Sequence, residues 1–127
     1  MSAGKYSFII EQGSTVNFEL QYKDANSNPI NLTNYSGRMQ IRPTVASTTV
    51  YLTLSSSLQA DGSGLNFSGS NGITSPMSGS IGLYISAASS SALSFSGDAY
   101  YDLEIYSASY VSRILEGQVR LSLEVTR

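Results

Sequence analysis

Cysteine, histidine and tryptophan are all missing from these 127 residues. Without cysteine there is no disulfide framework and no thiolate nucleophile or metal ligand. Without histidine the commonest general base and the commonest metal ligand go together. Charge is scarce as well. Only 13% of residues are Asp, Glu, Lys or Arg, about half the usual share. A net charge of −2 and seven scattered cations provide no basic field for nucleic acid. Long apolar runs are lacking, and none approaches the roughly 20 residues that span a bilayer. Met1 to Lys5 leads into a strand pattern with no apolar signal region. The expectation is a soluble protein made in the cytosol, with neither membrane nor nucleic acid as partner.

What the chain has is alternation. Tyr101, Leu103 and Ile105 alternate with Tyr100, Asp102, Glu104 and Tyr106. After Ser107-Ala108-Ser109, Val111 resumes the pattern, and Val119, Leu121, Leu123 and Val125 alternate with Arg120, Ser122, Glu124 and Thr126. One apolar and one polar face per strand predicts an antiparallel hairpin. Earlier strands are predicted at Tyr6–Ile10, Val16–Tyr22, Arg38–Arg42, Thr48–Leu54 (Val50, Leu52 and Leu54 inward), Leu65–Phe67 and Ile81–Ile85. Pro43 should stop its strand because it has no N–H to donate. Lys23 to Pro29 is a loop dense in Asp, Asn and Ser, Gly69 to Gly79 has little structural signal, and Ser86–Leu93 is the only candidate helix. About eight short strands with at most one short helix predict an all-β, antiparallel β-sandwich forming a single domain over 1–127.

Candidate chemistry is thin. Asp102 and Glu104 share a strand face about 7 Å apart, a spacing loosely compatible with paired-carboxylate catalysis. A wet strand face with Arg38, Arg42 or Arg113 as partners explains them better, so no catalytic residue is assigned. Asp61-Gly62-Ser63-Gly64 resembles part of a calcium loop, but with one carboxylate it reads as a turn. No metal, cofactor or activated serine is implied. Nine tyrosines against four phenylalanines are more informative. Tyr84, Tyr100, Tyr106 and Tyr110 fall on or beside polar faces, where tyrosine offers contact area at low entropic cost. With Asp102, Glu104, Arg38 and Arg42 they are the candidate interface residues. A second use of Tyr100, Asp102, Glu104 and Tyr106 is stacking on a host glycan.

Three stretches carry a resemblance. They are the opening Ile10-Glu11-Gln12-Gly13, the middle Leu32-Thr33-Asn34-Tyr35-Ser36-Gly37-Arg38-Met39-Gln40-Ile41-Arg42, and Leu115-Glu116-Gly117-Gln118-Val119 before Glu124-Val125-Thr126-Arg127. Together they resemble a group of small tailed-bacteriophage virion proteins, and the chain is similar to immunoglobulin-like modules of phage baseplate and fibre-attachment proteins. The resemblance implies an immunoglobulin-like sandwich and a structural, non-enzymatic role in a virion, at the tail, baseplate or neck, or as a capsid decoration protein. Its partners would be other virion proteins or further copies of itself in a symmetric assembly.

Overall fold

The computed structural model describes residues 4–69, 73, 76–95 and 97–125. Among the described residues nine strands are formed: β1 Gly4–Lys5, β2 Phe8–Glu11, β3 Val16–Gln21, β4 Ser36–Arg42, β5 Leu52–Ser55, β6 Gly64–Asn66, β7 Ser80–Ile85, β8 Asp98–Ser107 and β9 Tyr110–Ser122. A short helix, α1, covers Ala87–Ser91. The strands make two sheets. The large one runs β1-β9-β8-β4-β5 with β2 also on β9, and the small one runs β3-β7-β6. This is an all-β sandwich. Its core is lined by Ile10, Met39, Ile41, Leu54, Leu103, Ile105 and Val119 from the large sheet and by Leu65, Ile81, Leu83 and Ile85 from the small one.

The expected alternation holds through most strands. Ala99, Tyr101, Leu103 and Ile105 are buried while their neighbours on β8 face out. β4 buries Gly37, Met39 and Ile41 and ends at Arg42, before Pro43. Helix α1 starts where serine capping predicts, with the Ser86 hydroxyl accepting from the Ser89 N–H.

Four expectations fail, each for a local reason. The first strand is not one strand and is not antiparallel. β1 and β2 both run parallel to β9, with Lys5 beside Glu116 and Phe8 beside Val119. Between them Tyr6 and Ser7 leave the ladder yet keep its register, because the Tyr6 carbonyl passes over Gly117. A Cβ on Gly117 would lie 1.9 Å from that oxygen, so only glycine admits the crossing. The predicted Thr48–Leu54 strand starts only at Leu52, and Val50 is 38% exposed. The preceding loop is held instead by Arg42 Nη1 donating to the Ser47 carbonyl at 2.6 Å. The aliphatic run of the last strand is buried only at Val119 and Leu121. Leu123 is 57% and Val125 92% exposed, since β2 ends at Glu11 opposite Ser122 and gives them nothing to pack on. Thr126 and part of the Gly69–Gly79 loop lie outside the described residues.

The fourth is a break in β9. Leu103 faces Leu115, but Glu104 faces Arg113, so Ile114 is the extra residue of a β-bulge. Beyond it every side chain of β9 changes face.

Candidate interaction face

The outer face of the large sheet carries five ion-pair contacts. On β8 it carries Asp98, Tyr100, Asp102, Glu104 and Tyr106, and on β4 Arg38, Gln40 and Arg42. On β9 it carries Arg113, Glu116, Gln118 and Arg120. The bulge decides this composition. Arg113 and Glu116 are three residues apart, and on a regular strand they would point to opposite faces. Skipping Ile114 puts both outside, and Arg113 then reaches Asp102 at 3.3 Å and Glu116 at 3.6 Å.

The ion pairs form three groups. Lys5 Nζ donates to Glu116, which Arg113 also contacts, and Arg113 continues to Asp102. Beside them Arg38 Nε donates to Glu104 Oε1 at 2.8 Å, and the Arg38 guanidinium lies 4.8 Å from the Tyr106 ring centroid. The hydrogen bond to Glu104 raises the Arg38 pKa. The bond from Lys5 holds Glu116 below the usual carboxylate range. Asp102 moves the other way. Burial raises it against the pull of Arg113, and the nearby Glu104 and Glu116 charges add to the rise. At the far end of the sheet Arg120 pairs with Asp98 at 3.1 Å.

Of the eight candidate residues, the structure brings six to this face: Arg38, Arg42, Tyr100, Asp102, Glu104 and Tyr106. Arg38 meets Glu104 as the cross-strand reading expects. Arg42 does not meet Asp102. It stands opposite Tyr100 in the β4–β8 register, donates from Nη2 to Gln40 Oε1 at 2.7 Å, and through Nη1 holds the Ser47 carbonyl of the loop after β4. Tyr84 belongs to the outer face of the small sheet, opposite Asn17. Tyr110 sits at the β8–β9 hairpin tip, edge-on to Tyr35 with centroids 6.1 Å apart. The residues of this face that the candidate set left out include Lys5, Glu116 and Gln118. Two polar residues three apart around an apolar pair, Arg113 and Glu116 around Ile114-Leu115, are the signal of a bulge that puts both on one face.

Over the centre of the face lies a shallow depression of about 470 Å³, lined among others by Gln40, Arg42, Val45, Tyr100, Asp102 and Gln118. It offers one aromatic ring and both donors and acceptors. Among the described residues no group of three His, Cys, Asp or Glu is placed to hold a metal ion.

A second cluster absorbs the calcium-like turn. Asp61 Oδ2 accepts from the Ser86 hydroxyl at 2.6 Å and the Ser89 hydroxyl at 2.7 Å, and Oδ1 accepts from the Ser63 N–H at 2.9 Å. These donors hold the Asp61 carboxyl well below its ordinary value. The carboxylate fastens the β5–β6 connection to the start of α1. Gln12 fastens the other end of the helix segment. Its Nε2 donates to the Leu93 carbonyl at 2.7 Å while its Oε1 accepts from the Glu124 N–H at 2.9 Å.

Fold and face together define a β-sandwich module with one charged, tyrosine-bearing sheet surface. The chain matches no protein-family model and no curated protein.

Proposed function

We propose that this chain is a non-enzymatic structural component of a tailed-phage virion, an immunoglobulin-like module that joins larger components at the tail, baseplate or neck. The observation that carries the proposal is the concentration of contact chemistry on one face. Five of the seven cations (Lys5, Arg38, Arg42, Arg113 and Arg120) stand there with Tyr100 and Tyr106. Arginine and tyrosine are the residues that anchor protein interfaces, and their ion pairs fix orientation more than they add affinity.

Strand order supports the immunoglobulin-like part of the reading. The small sheet β3-β7-β6 follows the B-E-D order, and β9-β8-β4-β5 follows G-F-C-C′ of the variable-type plan. The disulfide and buried tryptophan of antibody domains have no counterpart in the composition. Residues of the resembling stretches also occupy junctions of the fold. Gln12 bridges α1 to the end of β9, Gly117 admits Tyr6, and a Cβ on Gly37 would come within 2.8 Å of the Phe67 ring.

Immunogold labelling of purified particles tests the proposal. Label at the tail end or neck is the expected result, and label spread over the head would instead make the chain a capsid decoration protein. Particles without label, with the epitope accessible on the isolated chain, would overturn the virion assignment. The depression around Tyr100 favours a second reading, a host-glycan site, which a glycan array showing no binding would remove.

A further inference from the structure

We propose that the depression on the large sheet binds an acidic saccharide, with Arg42 receiving its carboxylate and Tyr100 stacking on its ring. This inference rests on the glycan reading of that depression and narrows it to sugars that carry a negative charge.

Charge pairing on the outer face of the large sheet leaves one cation over. Its four carboxylates all have partners: Asp98 has Arg120, Asp102 has Arg113, Glu104 has Arg38, and Glu116 has Lys5 and Arg113. Arg42 is the fifth cation of the face, and among the described residues it meets no carboxylate. Its partners are neutral. Nε and Nη2 donate to Gln40 Oε1 at 3.3 and 2.7 Å, and Nη1 donates to the Ser47 carbonyl at 2.6 Å. These bonds fix the guanidinium without cancelling its charge, so little ordering remains to oppose binding. A guanidinium has five N–H donors. One is therefore left on each terminal nitrogen to meet an incoming carboxylate.

The neighbours of Arg42 suit a sugar. In the ladder Arg42 stands opposite Tyr100, and Tyr100 opposite Gln118. That row across β4, β8 and β9 brings together a cation, an aromatic ring and an amide, with no acid among them. The next row holds Gln40, Asp102 and Glu116. Asp102 gives Oδ2 to Arg113, which leaves Oδ1 to accept a sugar hydroxyl. Donors and acceptors side by side match hydroxyls, which do both, and the Tyr100 ring offers a flat apolar surface to the C–H face of a pyranose. An acidic peptide fits less well. β8 lies between β9 and β4 in the sheet, so no strand can be added there, and among the described lining residues Val45 is the only aliphatic one. The whole chain carries a net charge of −2, so attraction of an anion has to come from this site rather than from the field of the whole protein.

Amide NMR titration of the full chain with oligogalacturonate and with its methyl ester tests the proposal. The two ligands share their ring hydroxyls and differ in charge. The acid is expected to shift the amides of Arg42, Tyr100 and Gln118, and to bind about threefold to thirtyfold more tightly than the ester. Arg42→Gln should abolish that preference. Lys23→Gln removes the same charge from an exposed position after β3 and should leave the preference intact. Tyr100→Ala should weaken both ligands alike. Circular dichroism checks that the variants remain folded. Equal binding of acid and ester, or a preference that survives Arg42→Gln, would overturn the inference and leave the glycan reading standing. No shift with either ligand up to about 10 mM would overturn the inference, and a blank glycan array as well would take the glycan reading with it. Shifts of the same amides by a polyglutamate peptide but not by oligogalacturonate would assign the carboxylate to a protein partner and overturn the saccharide.

Discussion

In the small sheet, β7 buries Ile81, Leu83 and Ile85 completely and turns Ser80, Gly82 and Tyr84 outward. In the large sheet, β8 buries Ala99, Tyr101, Leu103 and Ile105 and turns out Asp98, Tyr100, Asp102, Glu104 and Tyr106. The inner faces are alike; the outer faces are not. The small sheet's outer face is uncharged at its centre and partly covered by its own chain, with Leu58 lying against Gly64 and Gly62 within reach of Tyr84. The large sheet's outer face is open and holds most of the ion pairs. The small sheet meets water instead through Asn17, Glu19 and Gln21 on β3 and through Tyr84 on β7.

The same comparison can be broken first at the core. Leu83→Ala on the central strand of the small sheet should cost about 2–5 kcal/mol, as truncation of fully buried leucines does. Leu20→Ala, on the neighbouring edge strand and only half-buried, should cost clearly less. Urea unfolding of both variants measures the difference. Equal losses would mean that β3 is as well covered as β7, against the burial of their side chains.

A smaller effect belongs to the large sheet. Gly117→Ala puts a methyl group into the Tyr6 carbonyl, and the two nearest atoms in its way are backbone. The strand β1 must move off β9, breaking the Tyr6 N–H bond to the Glu116 carbonyl and the Lys5–Glu116 pair. The expected loss is about 1–3 kcal/mol, with faster amide exchange confined to β1, β2 and their β9 partners. A uniform rise in exchange would show instead that the N-terminal strands belong to the cooperative core.

These sites also mark where the sequence is readable. Period-two alternation gave the inner rows of β4, β7 and β8, because each has a neighbour on both sides and burial enforces the pattern. It failed at Leu123 and Val125, where alternation continues past the end of the neighbouring strand. It failed at Arg113, whose outward position depends on the bulge at Ile114. Parallel pairing of β1 and β2 is invisible to alternation, since a strand with one wet face reads the same in either direction. Asp61 was legible as a turn residue, but its serine partners are 25 and 28 positions away, beyond any local pattern.

The smallest effect separates two carboxylates, one serving each part of the comparison. Asp61 is held below its ordinary pKa by hydroxyl and amide donors, so the unfolded chain binds a proton that the folded chain refuses. Its contribution to stability is present above the ordinary aspartate value, near pH 4, and is lost as pH falls toward the lowered folded value. Asp102 has the opposite sign. Burial and its acidic neighbours raise it, so the folded chain takes up its proton first, and the favourable contribution lies at low pH and fades as pH rises through the raised value. Urea midpoints measured between about pH 2 and pH 7 should therefore respond in opposite directions. Asp61→Asn should flatten the acid loss of stability relative to the parent. Asp102→Asn should steepen it, because the site that gains from acid is gone. If both substitutions flatten the profile, Asp102 is stabilised by Arg113 more than it is penalised by burial. The outer face of the large sheet would then be as fully satisfied by its own ion pairs as the Asp61 clasp is by its serines.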